Sequence, residues 1–121
     1  MKTFVNCSNH PSSVWMKAQL DQAKRYGDVV DVPFPTVACN LADEQLEELA
    51  EKTVNEVMKY HPAAVMCMGE FVVCYRIVQK LKAKGIKVLA TSSERKAIER
   101  TKEDGTVRKE SIFEFQGFRE Y

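Results

Sequence analysis

The chain has 121 residues, a length at which one sheet covered by helices can bury a core and two separate cores cannot. Hydrophobic residues at 45% and charged residues at 29% fit a globular domain and exclude a disordered segment. With 18 Lys plus Arg against 17 Asp plus Glu there is no global basic field, which speaks against sequence-independent binding of duplex nucleic acid.

Cys7, Cys39, Cys67 and Cys74 form no C-x-x-C pair and have no nearby His at zinc-ligand spacing. Neither a metal site nor a disulfide frame is expected, and the four read as buried thiols of a reduced protein. Met1-Lys2-Thr3-Phe4 opens without a charged leader and apolar core of signal-peptide length, and no apolar run approaches a membrane span. A cytoplasmic location and no membrane partner are expected.

Thr3-Phe4-Val5-Asn6-Cys7 is a short β-rich run that gives way to a polar loop and Pro11. Ser12 or Ser13 can cap a first helix, in which Val14, Trp15, Ala18, Gln19, Gln22 and Tyr26 recur at helical spacing until Gly27. Residues 28–33 read as strand two, closed by Pro33-Phe34-Pro35. From Asp43, the residues Leu46, Leu49, Ala50, Thr53, Val54 and Val57 mark one apolar helix face that stops before Pro62.

The unbroken apolar run of residues 63–68 suits a parallel strand covered on both faces. A third helix follows Gly69-Glu70 and closes at Gly85, before strand four at residues 86–90. Residues 96–101 and 106–115 then flank Lys102-Glu103-Asp104-Gly105, whose Asp-Gly pair signals a terminal hairpin. Its aromatic side chains, Phe113, Phe115, Phe118 and Tyr121, are expected to pack on the domain edge or on a second subunit, and a homodimer is expected.

The alternation predicts a Rossmann-like three-layer α/β sandwich: a mostly parallel sheet of about four strands with a C-terminal β-hairpin. One domain is expected over residues 1–121, with the core in 1–90 and the hairpin and tail in 91–121.

Right-handed crossovers put the loops after the strands on one side, where ligands of open parallel sheets bind. Four segments qualify: Ser8 to Ser13, Phe34 to Asn40, Gly69-Glu70, and Thr91 to Arg95. Ser8, Asn9, Ser12 and Ser13 stand at a helix start, where backbone N–H groups favour a phosphate, and His10 adds a donor or general acid. The plain alternative is a capped loop with an exposed histidine.

Gly69 permits close backbone approach, while Glu70 is a candidate base or ribose acceptor, or else a residue stabilising the first turn of helix three. Thr91, Ser92 and Ser93 resemble an anion nest with Arg95 beyond it, although an ordinary turn has the same composition. His61 reads as a helix C-terminal residue, and Trp15 as core or interface before base-stacking platform. No Gly-rich phosphate cradle is present, so NAD, ATP hydrolysis and any resident cofactor are not expected.

The first strand with Ser8-Asn9-His10-Pro11-Ser12, the small frame, the Thr91-Ser92-Ser93 turn and the terminal hairpin resemble compact Rossmann-like proteins of CRISPR systems, including the CARF and ring-nuclease-like group. The resemblance implies a cyclic oligoadenylate ligand held across a dimer by the loops after strands one and four, either sensed or cleaved. Cleavage would make the chain a metal-independent phosphodiesterase, with His10 or Glu70 acting on a ribose 2′-hydroxyl and Ser92 and Arg95 on the developing charge. The readings beside it are a non-catalytic regulatory module for another nucleotide or phosphate compound, and a protein-interaction module that uses the aromatic hairpin.

Overall fold

A computed structural model describes residues 2–121, so Met1, where the expected domain span begins, lies outside them. The chain runs through β1 (Thr3–Cys7), a single 3-10 turn (Ser12–Val14), α1 (Lys17–Lys24), β2 (Asp28–Asp31) and α2 (Asp43–Met58). It continues through β3 (Pro62–Cys67), α3 (Phe71–Ala83), β4 (Lys87–Thr101) and β5 (Val107–Glu120). The strands make one five-stranded sheet in the order β2-β1-β3-β4-β5. The first four run parallel, and β5 pairs antiparallel with β4.

Alternate side chains of the central strands feed two cores, because successive residues of a strand point to opposite faces. Val5, Cys7, Val65, Cys67 and Val88 meet Ala50, Val54 and Val57 of α2 and Val73, Ile77 and Leu81 of α3. On the other face Phe4, Ala64, Met66 and Leu89 pack with Ala23 of α1 and with Trp15, Tyr26 and Phe118. Phe4 is the hub of that face, with its ring centroid 5.3 Å from Phe118 and 5.7 Å from Tyr26. Burial on both faces is why β1 and β3 read as apolar runs without alternation.

The chain steps outward from β1 to β2 and then crosses back to β3 on the other side of β1. The winding therefore reverses between β1 and β3, and a crevice opens beyond their carboxyl ends.

Two expectations need correction. Strand four does not stop near Ala90: β4 is one strand of 15 residues, and β5 is one of 14, so the hairpin is a continuation of the sheet and the strands number five. Thr91, Ser92, Ser93 and Arg95 are strand residues, facing Phe118, Gly117, Phe115 and Phe113 across the ladder, with a register shift between Ser92 and Ser93. Their hydroxyls suggest a turn, but an aromatic-rich partner strand alongside favours extended pairing. The Asp104-Gly105 turn is as read: Gly105 has φ 84° and Lys102 N–H donates to the Thr106 carbonyl at 2.7 Å.

The first helix also differs. Ser12 and Ser13 start only the 3-10 turn, the backbone is extended at Trp15 and Met16, and α1 begins at Lys17. Ser12 N–H donates to the Asp31 carboxylate at 3.1 Å and the Trp15 indole N–H donates to the His10 carbonyl at 3.2 Å. These bonds tie the segment to the strand ends and spend donor groups that a capped helix start would offer elsewhere. Among the described residues no helix is long and apolar enough to cross a membrane.

Candidate functional site

A cleft of about 510 Å³ lies beyond the carboxyl ends of β1 and β3 and against β4. Ser8, Asn9 and His10 form one side, Val14, Trp15, Met16 and Gln19 a second, Met66, Met68 and Gly69 the base, and Thr91, Ser93 and Phe113 the last wall.

Beneath it sits a polar network built on Asn6, which is only 1% exposed. Its amide nitrogen donates to the His10 carbonyl at 2.8 Å and to Asp31 Oδ1 at 3.1 Å, while its oxygen accepts from Ser8 Oγ at 2.6 Å. Ser8 Oγ in turn accepts from His10 N–H at 3.2 Å. A buried amide with each partner in place fixes the path of the loop after β1. His10 lines the cleft and is held through its backbone, while its side chain takes part in no hydrogen bond among the described residues.

The base is soft. Met68 Sδ accepts from Thr91 N–H at 3.3 Å and from Thr91 Oγ at 3.2 Å, and Met66 Sδ lies 3.6 Å from the Gln19 amide nitrogen. Thioethers adapt to the shape of an apolar or aromatic guest and contact rings favourably. Trp15 stands edge-on to Phe4 at 6.3 Å, which braces the indole from behind.

Of the residues singled out from sequence, Ser8, Asn9, His10, Gly69, Thr91 and Ser93 come together on the cleft. Ser12, Ser13, Glu70, Ser92 and Arg95 do not line it. Glu70 is the N-cap of α3, its carboxylate accepting from Val72 N–H at 3.1 Å and Val73 N–H at 2.8 Å, so the helix-stabilising alternative describes it. Arg95 donates to Ser111 Oγ at 3.0 Å on the exposed hairpin. Among the described residues no Asp, Glu, Lys or Arg lines the cleft.

Gly69 does require its missing side chain, although for the protein's own sake: a Cβ there would lie 2.6 Å from ring carbons of Phe34. Sequence reasoning passed over Asn6 and Asp31, as well as Met16, Gln19, Met66, Met68 and Phe113. A signal existed for three of these: an amide inside Phe4-Val5-Asn6-Cys7 needs buried partners, and Met66 and Met68 at spacing two share a face. Among the described residues no group of His, Cys, Asp and Glu side chains is placed to hold a metal ion.

A sequence profile described as the Uncharacterized protein MJ1673 family matches residues 2–119. The chain belongs to that family. No curated protein and no solved structure matches it. The span shared with the MJ1673 family includes every wall of the cleft, from Ser8 to Phe113.

Proposed function

We propose that the protein is a small-ligand-binding module that takes a nucleotide-class ligand by its base, with a cyclic oligoadenylate as the first ligand to test. The observation that carries this is the composition of the cleft: Trp15, Met66, Met68 and Phe113 offer apolar and aromatic surface, Asn9, His10, Gln19 and Ser93 offer polar edges, and among the described residues no Asp, Glu, Lys or Arg is present. Its volume falls within the range of about 300–1,000 Å³ common to small-molecule sites. A planar heterocycle satisfies such walls by stacking and edge hydrogen bonds, at about 1–3 kcal/mol per stacked base.

A phosphate deep in this cleft would meet no Lys or Arg, and the Ser12 N–H expected to greet it is turned to Asp31. The phosphates of a bound nucleotide therefore belong at the open mouth. The CRISPR-system resemblance of the sequence is the reason for placing a cyclic oligoadenylate first.

Calorimetric titration of the full chain with adenosine, cyclic tetra-adenylate, cyclic hexa-adenylate and inorganic phosphate tests the reading. The nucleoside and at least one cyclic ligand bind, phosphate alone does not, and Trp15→Ala weakens the base-bearing ligands. Binding of phosphate with no response to any base overturns it.

A second reading, metal-independent cleavage, is favoured by one observation: His10 lines the cleft and its side chain makes no hydrogen bond among the described residues. A ribose 2′-hydroxyl gives its proton to His10 and attacks the adjacent phosphorus, the 5′-oxygen leaves and takes up a proton, and a 2′,3′-cyclic phosphate end results. Linear product from the cyclic ligands, lost in His10→Ala while binding persists, distinguishes this enzyme from a sensor.

A further inference from the structure

On the face of β3 turned away from the cleft, sulfur gathers in the core shared with α2 and α3. Cys7, Cys67 and Cys74 are buried there, and Cys7 is the register partner of Cys67 across the parallel strands. Cys74, in the first turn of α3, places its Sγ 3.7 Å from Cys67 Sγ and 3.6 Å from the Cys67 carbonyl oxygen. Tyr121 covers the pair: its phenol donates to that same carbonyl at 2.7 Å and lies 3.9 Å from Cys74 Sγ. Tyr121 is moored by its own N–H to Val88 and by Lys82 to its carbonyl oxygen, yet remains 44% exposed.

We propose that Cys67 and Cys74 are an oxidation site at which a peroxide joins the two thiols in an intrachain disulfide. A disulfide has its sulfurs about 2.05 Å apart, so an approach of about 1.7 Å from the present contact completes the bond. The spacing in the chain favours closure, since the turn between β3 and α3 already brings the sulfurs into contact.

The two thiols have different roles. Hydrogen bonding with the Cys67 thiol, helped by Tyr121 and the Gly69 backbone, brings Cys74 down to about 7 against the opposing effect of burial. The thiols of Cys7 and Cys74, together with burial, push Cys67 upward. Cys74 is thus the attacking thiolate. Its sulfur takes one peroxide oxygen, the O–O bond breaks, and the hydroxide released leaves as water with the proton Cys74 gave up. Cys67 sulfur then attacks the sulfenic sulfur, the S–O bond breaks, and the hydroxyl departs with the Cys67 proton as a second water. Two thiols lose two electrons, and one peroxide becomes two waters.

The bond closes a ring around Met68 and Gly69, which line the cleft, so oxidation tethers the base of the cleft to α3. The site itself does not depend on what the cleft binds.

The full chain with Cys39→Ser, which removes the exposed thiol, is treated with hydrogen peroxide, blocked with a maleimide and mapped by mass spectrometry. The expected result is loss of the mass of two hydrogens, a Cys67–Cys74 crosslinked peptide, and full return on reduction. Adding Cys67→Ser leaves a sulfenic acid at residue 74 that dimedone traps, and adding Cys74→Ser abolishes both species. Free Cys67 and Cys74 after peroxide, or a crosslink mapped to Cys7 and Cys67 instead, overturns the proposal. The map of the Cys39→Ser protein decides even where a further variant fails to fold.

Discussion

The buried amide of Asn6 reaches the Asp31 carboxylate at 3.1 Å, joining the carboxyl ends of two adjacent parallel strands beneath the cleft. The same amide satisfies Ser8 and the His10 carbonyl. Asn6→Leu leaves the buried Ser8 hydroxyl without its partner, whereas the exposed Asp31 and His10 groups can turn to water, and a loss of about 1–3 kcal/mol is expected, because an unmet buried polar group carries its desolvation penalty. Urea denaturation measures it. An unchanged midpoint would remove the network as the support of the loop.

Gly69→Ala is expected to destabilise by about 1–3 kcal/mol, the range for overpacking a filled interior. The new methyl meets the Phe34 ring and not a ligand. Phe34→Leu is the partner in a double-mutant cycle, and the two changes together should cost less than the sum of their separate effects. Simple additivity would show that the Phe34 ring is not the obstacle.

Much of the frame is legible in the sequence, and its errors have local causes. Apolar runs gave β1 and β3 their places, the 3.6-residue spacing from Asp43 marked α2, and Gly85, with φ 79°, marked the end of α3. The start of α1 and the state of Thr91 to Arg95 depended on partners distant in sequence. Asp31 draws Ser12 out of a cap, and β5 draws the hydroxyl run into a strand. The candidate site was half legible for the same reason. Its polar loop residues could be placed by topology, whereas the thioether and aromatic walls come from residues whose composition says only that they are apolar.

Glu70→Ala separates a helix cap from a catalytic base. Loss of its bonds to Val72 and Val73 is expected to lower stability by about 1 kcal/mol, while affinity for any ligand of the cleft stays within error. Thermal melts and titration of the same preparations give both numbers. A large fall in affinity with no change in melting would return Glu70 to the site.

Alkylation of Cys74 by iodoacetamide is expected to reach half its limiting rate near about pH 7. The titratable groups facing it are Cys67, Tyr121 and Glu70, with Cys7 behind Cys67, and burial pushes the Tyr121 phenol upward. Linkage fixes the sign for stability. The native state releases the Cys74 proton more readily than the unfolded chain, so stability rises with pH from about 7 to the ordinary thiol range. Above that range the raised Cys67 and Tyr121 reverse the slope, because the unfolded chain then loses protons that the native state retains. Denaturation midpoints across this interval trace the maximum, and Cys74→Ser removes the rising limb.

Beyond Leu89, the last residue of β4 paired with β3, the β4–β5 ribbon has no third strand among the described residues. A two-stranded ribbon is marginally stable by itself. Its amide hydrogens, from Glu94 to Thr101 and Val107 to Phe113, should exchange with solvent deuterium by opening of the ribbon alone, while those of β1 and β3 wait for global unfolding. Phe113 stands on the labile side of that boundary and Met66 on the protected side. One flank of the cleft is therefore built from the segment that opens first, and a guest can enter or leave at the cost of a local fluctuation without disturbing the strands that hold its floor.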